Sequence, residues 1–151
     1  MDAIDKRILR IIQQDASRSI SGIAAEAGLS QTPCWKRLRR LTANGVIKRR
    51  VALLDPEKLG LRTTVFVSVQ IAGHSSKDLA RFAVNIAAME EVMDLYRLAG
   101  DVDFGMRVVV PDATAFDTFY KRLIDLIPVK NVTSRFALEH IKSETAFPIE
   151  N

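Results

Sequence analysis

Residues 28–43 read GLSQTPCWKRLRRLTA, a tight turn that commits the residues after it to a helix. Gly28 can take the positive φ that ends a helix. Ser30 offers a side-chain oxygen to cap the next one. Pro33 sits in a first turn, where a missing N–H has no intrahelical partner to lose. Cys34, Leu38 and Leu41 then recur at i, i+4 and i+7, the inward side of a helix. At about 100° per residue, Thr32, Lys36 and Arg39 fall on the outward side, with Trp35 and Arg40 flanking it. Two helices precede this one. Asp2 caps the first, with Asp5 against its N-terminal dipole and Ile4, Ile8, Ile11 and Ile12 on one face. Ser21 caps the second, whose buried side is Ile23, Ala24 and Ala27. A cationic helix delivered by a tight turn is the usual reader of a major groove.

Charge supports this placement. Residues 1–60 hold 12 Lys/Arg and 6 Asp/Glu, a net of +6, whereas residues 61–151 hold 10 and 12, a net of −2. No acid occurs between Glu26 and Asp55, and that gap carries seven basic residues. Such asymmetry predicts a nucleic-acid-binding first unit and a second unit with another task. The single cysteine excludes an internal disulfide framework and points to a cytoplasmic protein. No apolar run is long enough to span a bilayer, and MDAIDKRIL carries no apolar signal core, so no membrane partner is expected.

After the third helix, Ala43-Asn44-Gly45 is a stop, and Ile47–Leu54 predicts a short strand, a wing bearing Lys48, Arg49 and Arg50. DPEKLG (55–60) is the hinge. The expected division is a DNA-binding domain over 1–54, a linker over 55–62 and a second domain over 63–151. In the second domain Val65, Val67, Val69 and Ile71 alternate as a strand. Ser76 caps a helix with Leu79, Phe82, Ala83 and Ile86 on one face. Val92–Leu98 and Phe104–Val110 are strands around a Gly100-Asp101-Val102-Asp103 turn. A helix from Asp112 or Thr114 carries Phe116, Phe119, Tyr120, Leu123 and Ile127. Val132–Ile141 is the last strand. The order βαββαβ is the ferredoxin-like double unit, so the fold class is α+β, a winged helix-turn-helix followed by a ferredoxin-like domain. Two helices on one side leave a sheet face bearing Phe66, Ser68 and Gln70 uncovered, which predicts a homodimer through this domain.

Taken together, LSQTPCWKRLRRLTANGVI (29–47), ALLDPEKLG (52–60), LAGDVDF (98–104) and IPVKNVTSRFAL (127–138) resemble the Lrp/AsnC (feast/famine) transcription regulators over essentially the whole chain. TPCWKRL, VALLDPEKLG, FYKRL and FPIE are similar to the cysteine-responsive activators within that family. The resemblance implies a sequence-specific regulator of double-stranded DNA, dimeric or assembled further, for example as an octamer. It also implies a small amino-acid effector, cysteine or another, bound by the second domain in or beside the turn at Gly100, Asp101 and Asp103.

Each residue has a plainer reading as well. Lys36, Arg39 and Arg40 taken alone are a solvated basic face; the turn, the acid-free window and the resemblance make them DNA contacts. Gln31 and Thr32 lie near the helix N-terminus, where this motif meets base edges, and a Gln suits adenine as an Arg suits guanine. Lys48, Arg49 and Arg50 are phosphate contacts rather than readers. Trp35 either packs on a sugar-phosphate or props the helix. Cys34, on the apolar side, reads as a small buried hydrophobe rather than a redox sensor. Asp101 and Asp103 admit a catalytic pair, a hydrogen-bonding turn, or capture of an effector ammonium group. The resemblance favours the last for at least one of them, with Gly100 giving a carboxylate access to backbone N–H groups. Leu98, Ala99, Ser134, Phe136, Ala137 and Leu138 complete the expected wall. His74 and His140 have no ligand-spaced partners, and His74-Ser75-Ser76 reads as loop and cap. No phosphate loop, dinucleotide fingerprint or nucleophile–base pair is present, so neither cofactor nor catalytic residue is expected. The rival readings are a weakly specific architectural DNA-binding protein and a ferredoxin-like enzyme of amino-acid metabolism.

Overall fold

The computed structural model describes residues 1–72, 75–126 and 128–150. The expected roles of His74 and Ile127 lie outside the described residues. The chain forms two compact units, Met1–Leu53 together with the segment from Ile141 onward, and Leu54–His140.

In the first unit, α1 (Ala3–Gln14), α2 (Ile20–Ala27) and α3 (Gln31–Ala43) enclose Ile8, Ile11, Ile12, Ile23, Ala24, Ala27, Cys34, Leu38 and Leu41. Asp2 caps α1 as expected, and reciprocally: its carboxylate accepts from the Asp5 N–H at 2.8 Å, and Asp5 accepts from the Asp2 N–H at 3.1 Å. The cap of α2 is Ser19 rather than Ser21, its Oγ accepting from the Gly22 N–H at 3.1 Å. Gly28 takes φ 74°, and the N–H groups of Gly28 and Leu29 close α2 on Ala25 and Ala24 carbonyls. Ser30 holds the cap position of α3 without a side-chain hydrogen bond.

Three expectations for the linker and tail change. Residues 47–54 form no strand: Ile47 packs against the first core, and Lys48, Arg49 and Arg50 follow in exposed irregular chain. A wing needs a second run to complete a ladder, and the hinge begins before one arrives. The last strand ends at Phe136, followed by one more bond from the Ala137 N–H to the Thr64 carbonyl at 2.9 Å, because β1 itself begins only one residue earlier, at Thr63. The second domain also stops short of 151. Gln13 exchanges two 2.9 Å hydrogen bonds with the Phe147 backbone, Arg10 donates to the Ile149 carbonyl at 3.3 Å, and Ile149 packs on the first core.

In the second unit, β1 (Thr63–Ile71), α4 (Ser76–Ala87), β2 (Val92–Arg97), β3 (Phe104–Val110), α5 (Ala113–Leu126) and β4 (Val129–Phe136) follow the expected βαββαβ order. The sheet is antiparallel throughout, with strand order β2-β3-β1-β4. Ser75 caps α4, one residue before the expected Ser76, and Asp112 supplies the first-turn acceptor of α5. Val65, Val67, Val69 and Ile71 face the helices with Phe104, Met106 and Val108, over Phe82, Ile86, Phe119 and Leu123. Thr64, Phe66, Ser68 and Gln70 occupy the opposite face, as the period of two requires.

One ionic cluster ties the first unit together. Asp5 is 1 % exposed, and its two carboxylate oxygens accept from Arg37 at 2.8 Å and Arg40 at 2.6 Å, both on α3. Arg37 also reaches Asp2 at 2.6 Å. Burial pushes the Asp5 carboxyl up, but the Arg37 hydrogen bond, the Asp2 N–H and the Arg40 charge outweigh it and hold it below its ordinary value. The folded state therefore gains stability from the ionised carboxylate above the ordinary carboxylate range and loses it as pH falls through the depressed value. We expect Asp5→Ala to cost about 2–3 kcal/mol in chemical denaturation at neutral pH. Its stability should vary less than that of the wild type between neutrality and pH 3; an unchanged acid profile would show that Asp5 is not the titrating link.

Candidate nucleic-acid interface and ligand hollow

With its inward side spent on Cys34, Leu38 and Leu41, α3 turns Gln31, Thr32, Trp35, Lys36 and Arg39 to solvent. Arg39 lies over the indole of Trp35, its guanidinium carbon 5.3 Å from the ring centroid. Arg40 is also exposed, but its guanidinium is engaged by Asp5. It is thus a link to α1 first, and whatever it offers a phosphate comes from an ion-paired group. Arg37, not assigned to the interface from sequence, is the other half of that link, and its two carboxylate partners raise its pKa further. Cys34 is fully buried, and burial pushes its thiol up, away from thiolate chemistry.

The expected effector residues do not gather in one place. Leu98 folds over β3 on the open face, so close that a Cβ on Gly105 would stand 2.9 Å from its Cδ1. Ala99, Gly100 and Asp101 are exposed in the turn, and Gly100 takes φ 132°, where a side chain would be strained. Asp103 is committed to the fold: its carboxylate accepts from the Ile71 N–H at 2.8 Å, its own N–H donates to the Val69 carbonyl at 2.9 Å, and its carbonyl accepts from the Leu98 N–H at 2.9 Å. Ser134 and Phe136 pair with Val67 and Val65 and so share the helix-covered side, where Phe136 meets Phe116 edge-on. Ala137 bonds the edge of β1, and Leu138 is fully exposed.

On the open side of the sheet the structure forms a polar hollow of about 370 Å³, lined by Ser68, Gln70, Asp101, Val102, Asn131, Thr133 and Arg135. Asp101 is the one member of the expected set in it. Its other polar members were legible only through strand alternation: Asn131, Thr133 and Arg135 are the outward positions of β4, opposite Gln70, Ser68 and Phe66. The hollow combines one carboxylate, one guanidinium and four neutral hydrogen-bonding side chains, a donor set suited to a small zwitterion. Among the described residues no group of His, Cys, Asp or Glu is placed to hold a metal ion, and no helix is long and apolar enough to cross a membrane.

A helix-turn-helix with a bare cationic third helix, joined to an α+β unit with a polar hollow, defines a DNA-binding protein with a ligand-binding module. Residues 1–48 match the winged helix-turn-helix DNA-binding family, and residues 64–147 match the Lrp/AsnC ligand binding domain. The chain is 46% identical over 151 residues to the DNA-binding transcriptional activator DecR of Escherichia coli, covering 99% of each chain. It is 39% identical to the glutamate uptake regulatory protein of Zymomonas mobilis, covering 99% of this chain and 91% of that one. The crystal structure of an AsnC family regulator from Agrobacterium tumefaciens superposes with a TM-score of 0.94 at 49% identity, over 98% of this chain and 97% of the other. A Neisseria meningitidis regulator, NMB0573, in complex with L-Met gives 0.92 at 28% identity, over 98% and 96%. The chain belongs to the Lrp/AsnC family: it is a DNA-binding transcriptional regulator and not an enzyme.

The two turn carboxylates should separate in a stability experiment. Asp103→Ala leaves the Ile71 N–H without its acceptor and is expected to cost about 1–3 kcal/mol in thermal or urea unfolding of the second unit. Asp101→Ala should stay within about 0.5 kcal/mol of the wild type. Equal losses would place both carboxylates in the framework.

Proposed function

We propose that the protein binds a specific pseudo-palindromic operator as a homodimer and that a small amino acid held by the second unit sets its operator affinity or assembly. The observation that carries the DNA half is the shared exposed face of Thr32, Lys36 and Arg39 on α3, with Gln31 exposed at its N-terminus. Two such helices related by a two-fold axis reach successive major grooves, so half-site centres lie about 10 bp apart or a multiple of it. Lys36 and Arg39 face the duplex, Gln31 and Thr32 meet it at the helix N-terminus, and Lys48, Arg49 and Arg50 follow the phosphates. The second unit dimerises through its open sheet face around Phe66, which sets the hollow on that face at the dimer seam, with further assembly, to an octamer for instance, left to the remaining surface.

The effector reading rests on the hollow. Asp101 takes the ammonium group, Arg135 takes the carboxylate in a bidentate pair, and Ser68, Gln70, Asn131 and Thr133 fix the rest. Gly100 leaves the turn backbone accessible beside it. Asp103 contributes by holding the turn rather than by contact. Cysteine is the first candidate, from the resemblance of TPCWKRL, VALLDPEKLG and FPIE to the cysteine-responsive activators. The L-Met bound by the neisserial regulator keeps sulfur-containing amino acids in view. A ligand shifts the protein between states only by binding one of them better, so the effect must be reciprocal: DNA changes amino-acid affinity by the same factor.

On a duplex selected by the wild-type protein, Arg39→Ala should weaken binding about 10- to 100-fold, with oligomer size unchanged in sedimentation. Intact affinity would mean that the wrong face of α3 has been assigned. A thermal-shift screen against the twenty amino acids should give a concentration-dependent rise with one small amino acid, abolished by Arg135→Ala. A rise that survives Arg135→Ala moves the effector out of the hollow. No rise with any amino acid leaves a regulator without an amino-acid effector.

A further inference from the structure

Trp35 is the chain's single tryptophan, and it has no place in a core. It stands 47 % exposed on the flank of α3, beside the outward face that carries Lys36 and Arg39. What it touches is Arg39, one helical turn further on. The other two arginines of this helix are held by carboxylates, Arg37 by Asp2 and Asp5 and Arg40 by Asp5. Arg39 is held by a ring. The difference matters for recognition. A carboxylate occupies the N–H donors of a guanidinium and cancels its charge. An aromatic face attracts the cation through its quadrupole and leaves the in-plane N–H fork open.

We propose that Trp35 is a positioning residue for DNA reading: it orders the Arg39 side chain on the helix surface so that its open fork meets O6 and N7 of a guanine. The inference rests on the assignment of the outer face of α3 to DNA. Its physical content is entropic. A free arginine side chain loses its rotamer freedom on binding, and one already lying on a ring has lost part of it beforehand. The advantage accrues to the one contact that needs fixed geometry, the bidentate base contact. Attraction to phosphates, which depends on charge and tolerates many geometries, is left nearly as it was. Trp35 thereby governs discrimination between bases more than overall affinity.

The test is enrichment from a randomised duplex library with the full-length protein, run in parallel for the wild type, Arg39→Ala, Trp35→Phe, Trp35→Leu and Trp35→Ala. The wild type should recover a motif containing a guanine position that Arg39→Ala no longer selects. Trp35→Phe keeps a ring face and should retain that preference. Trp35→Leu and Trp35→Ala should lower it roughly 5- to 10-fold, while affinity for bulk competitor DNA and its salt dependence stay within about twofold. The double variant Trp35→Ala/Arg39→Ala should select no worse than Arg39→Ala alone, since one residue acts through the other. In the free protein, Arg39→Ala should shift the emission of the lone indole. Full guanine preference in both Trp35→Leu and Trp35→Ala, or additive losses in the double variant, overturns the proposal. An Arg39→Ala protein that selects the wild-type motif unchanged overturns the DNA-face assignment itself.

Discussion

Asp5 is the one charged side chain withdrawn from water among the described residues, and the placement of α3 depends on where it sits. Its backbone and side chain complete the N-terminal cap of α1, and its carboxylate spans to α3 through Arg37 and Arg40. Hydrophobic contact among Ile8, Ile23, Cys34 and Leu38 drives the three helices together but is non-directional. The ion cluster is directional. It sets α3 against α1 at two points on consecutive turns, and so fixes which side of α3 remains for a partner. The arginines divide accordingly: those facing α1 are fastened by carboxylates, and Arg39, facing outward, is not.

A similar division of labour runs through the turn after β2. Asp101 and Asp103 are two residues apart and look interchangeable in the sequence, yet they do different work. Asp103 bonds into β1 at both its backbone and its side chain, which makes the turn an extension of the sheet. Asp101 is carried outward on that rigid base to the rim of the polar hollow.

Most of the architecture was legible because periodicity reports directly on burial. The i, i+4, i+7 spacing of Cys34, Leu38 and Leu41 and the alternation of Val65, Val67, Val69 and Ile71 identify both cores and hence the exposed face of α3. What escaped was relational. The pairing of Asp5 with α3 has one signal in the sequence, a carboxylate in phase with Ile8 and Ile12 on the apolar face of its helix, and its favourable place against the helix dipole accounts for that carboxylate equally well. The basic run of residues 47–54 has the composition of a strand but no partner run, and pairing is a property of two segments. Ser134 and Phe136 were grouped with the turn by resemblance, whereas the pleat of β4 sends them to the helices and sends Thr133 and Arg135 to the hollow.

The docking of Phe147 and Ile149 on α1 has a topological consequence. Because the segment from Ile141 returns to the unit that Met1 begins, the ferredoxin-like unit is an insertion within the DNA-binding unit rather than its successor. The two are bridged by two covalent crossings, near Leu53 and near His140, and the chain makes a closed circuit instead of a string.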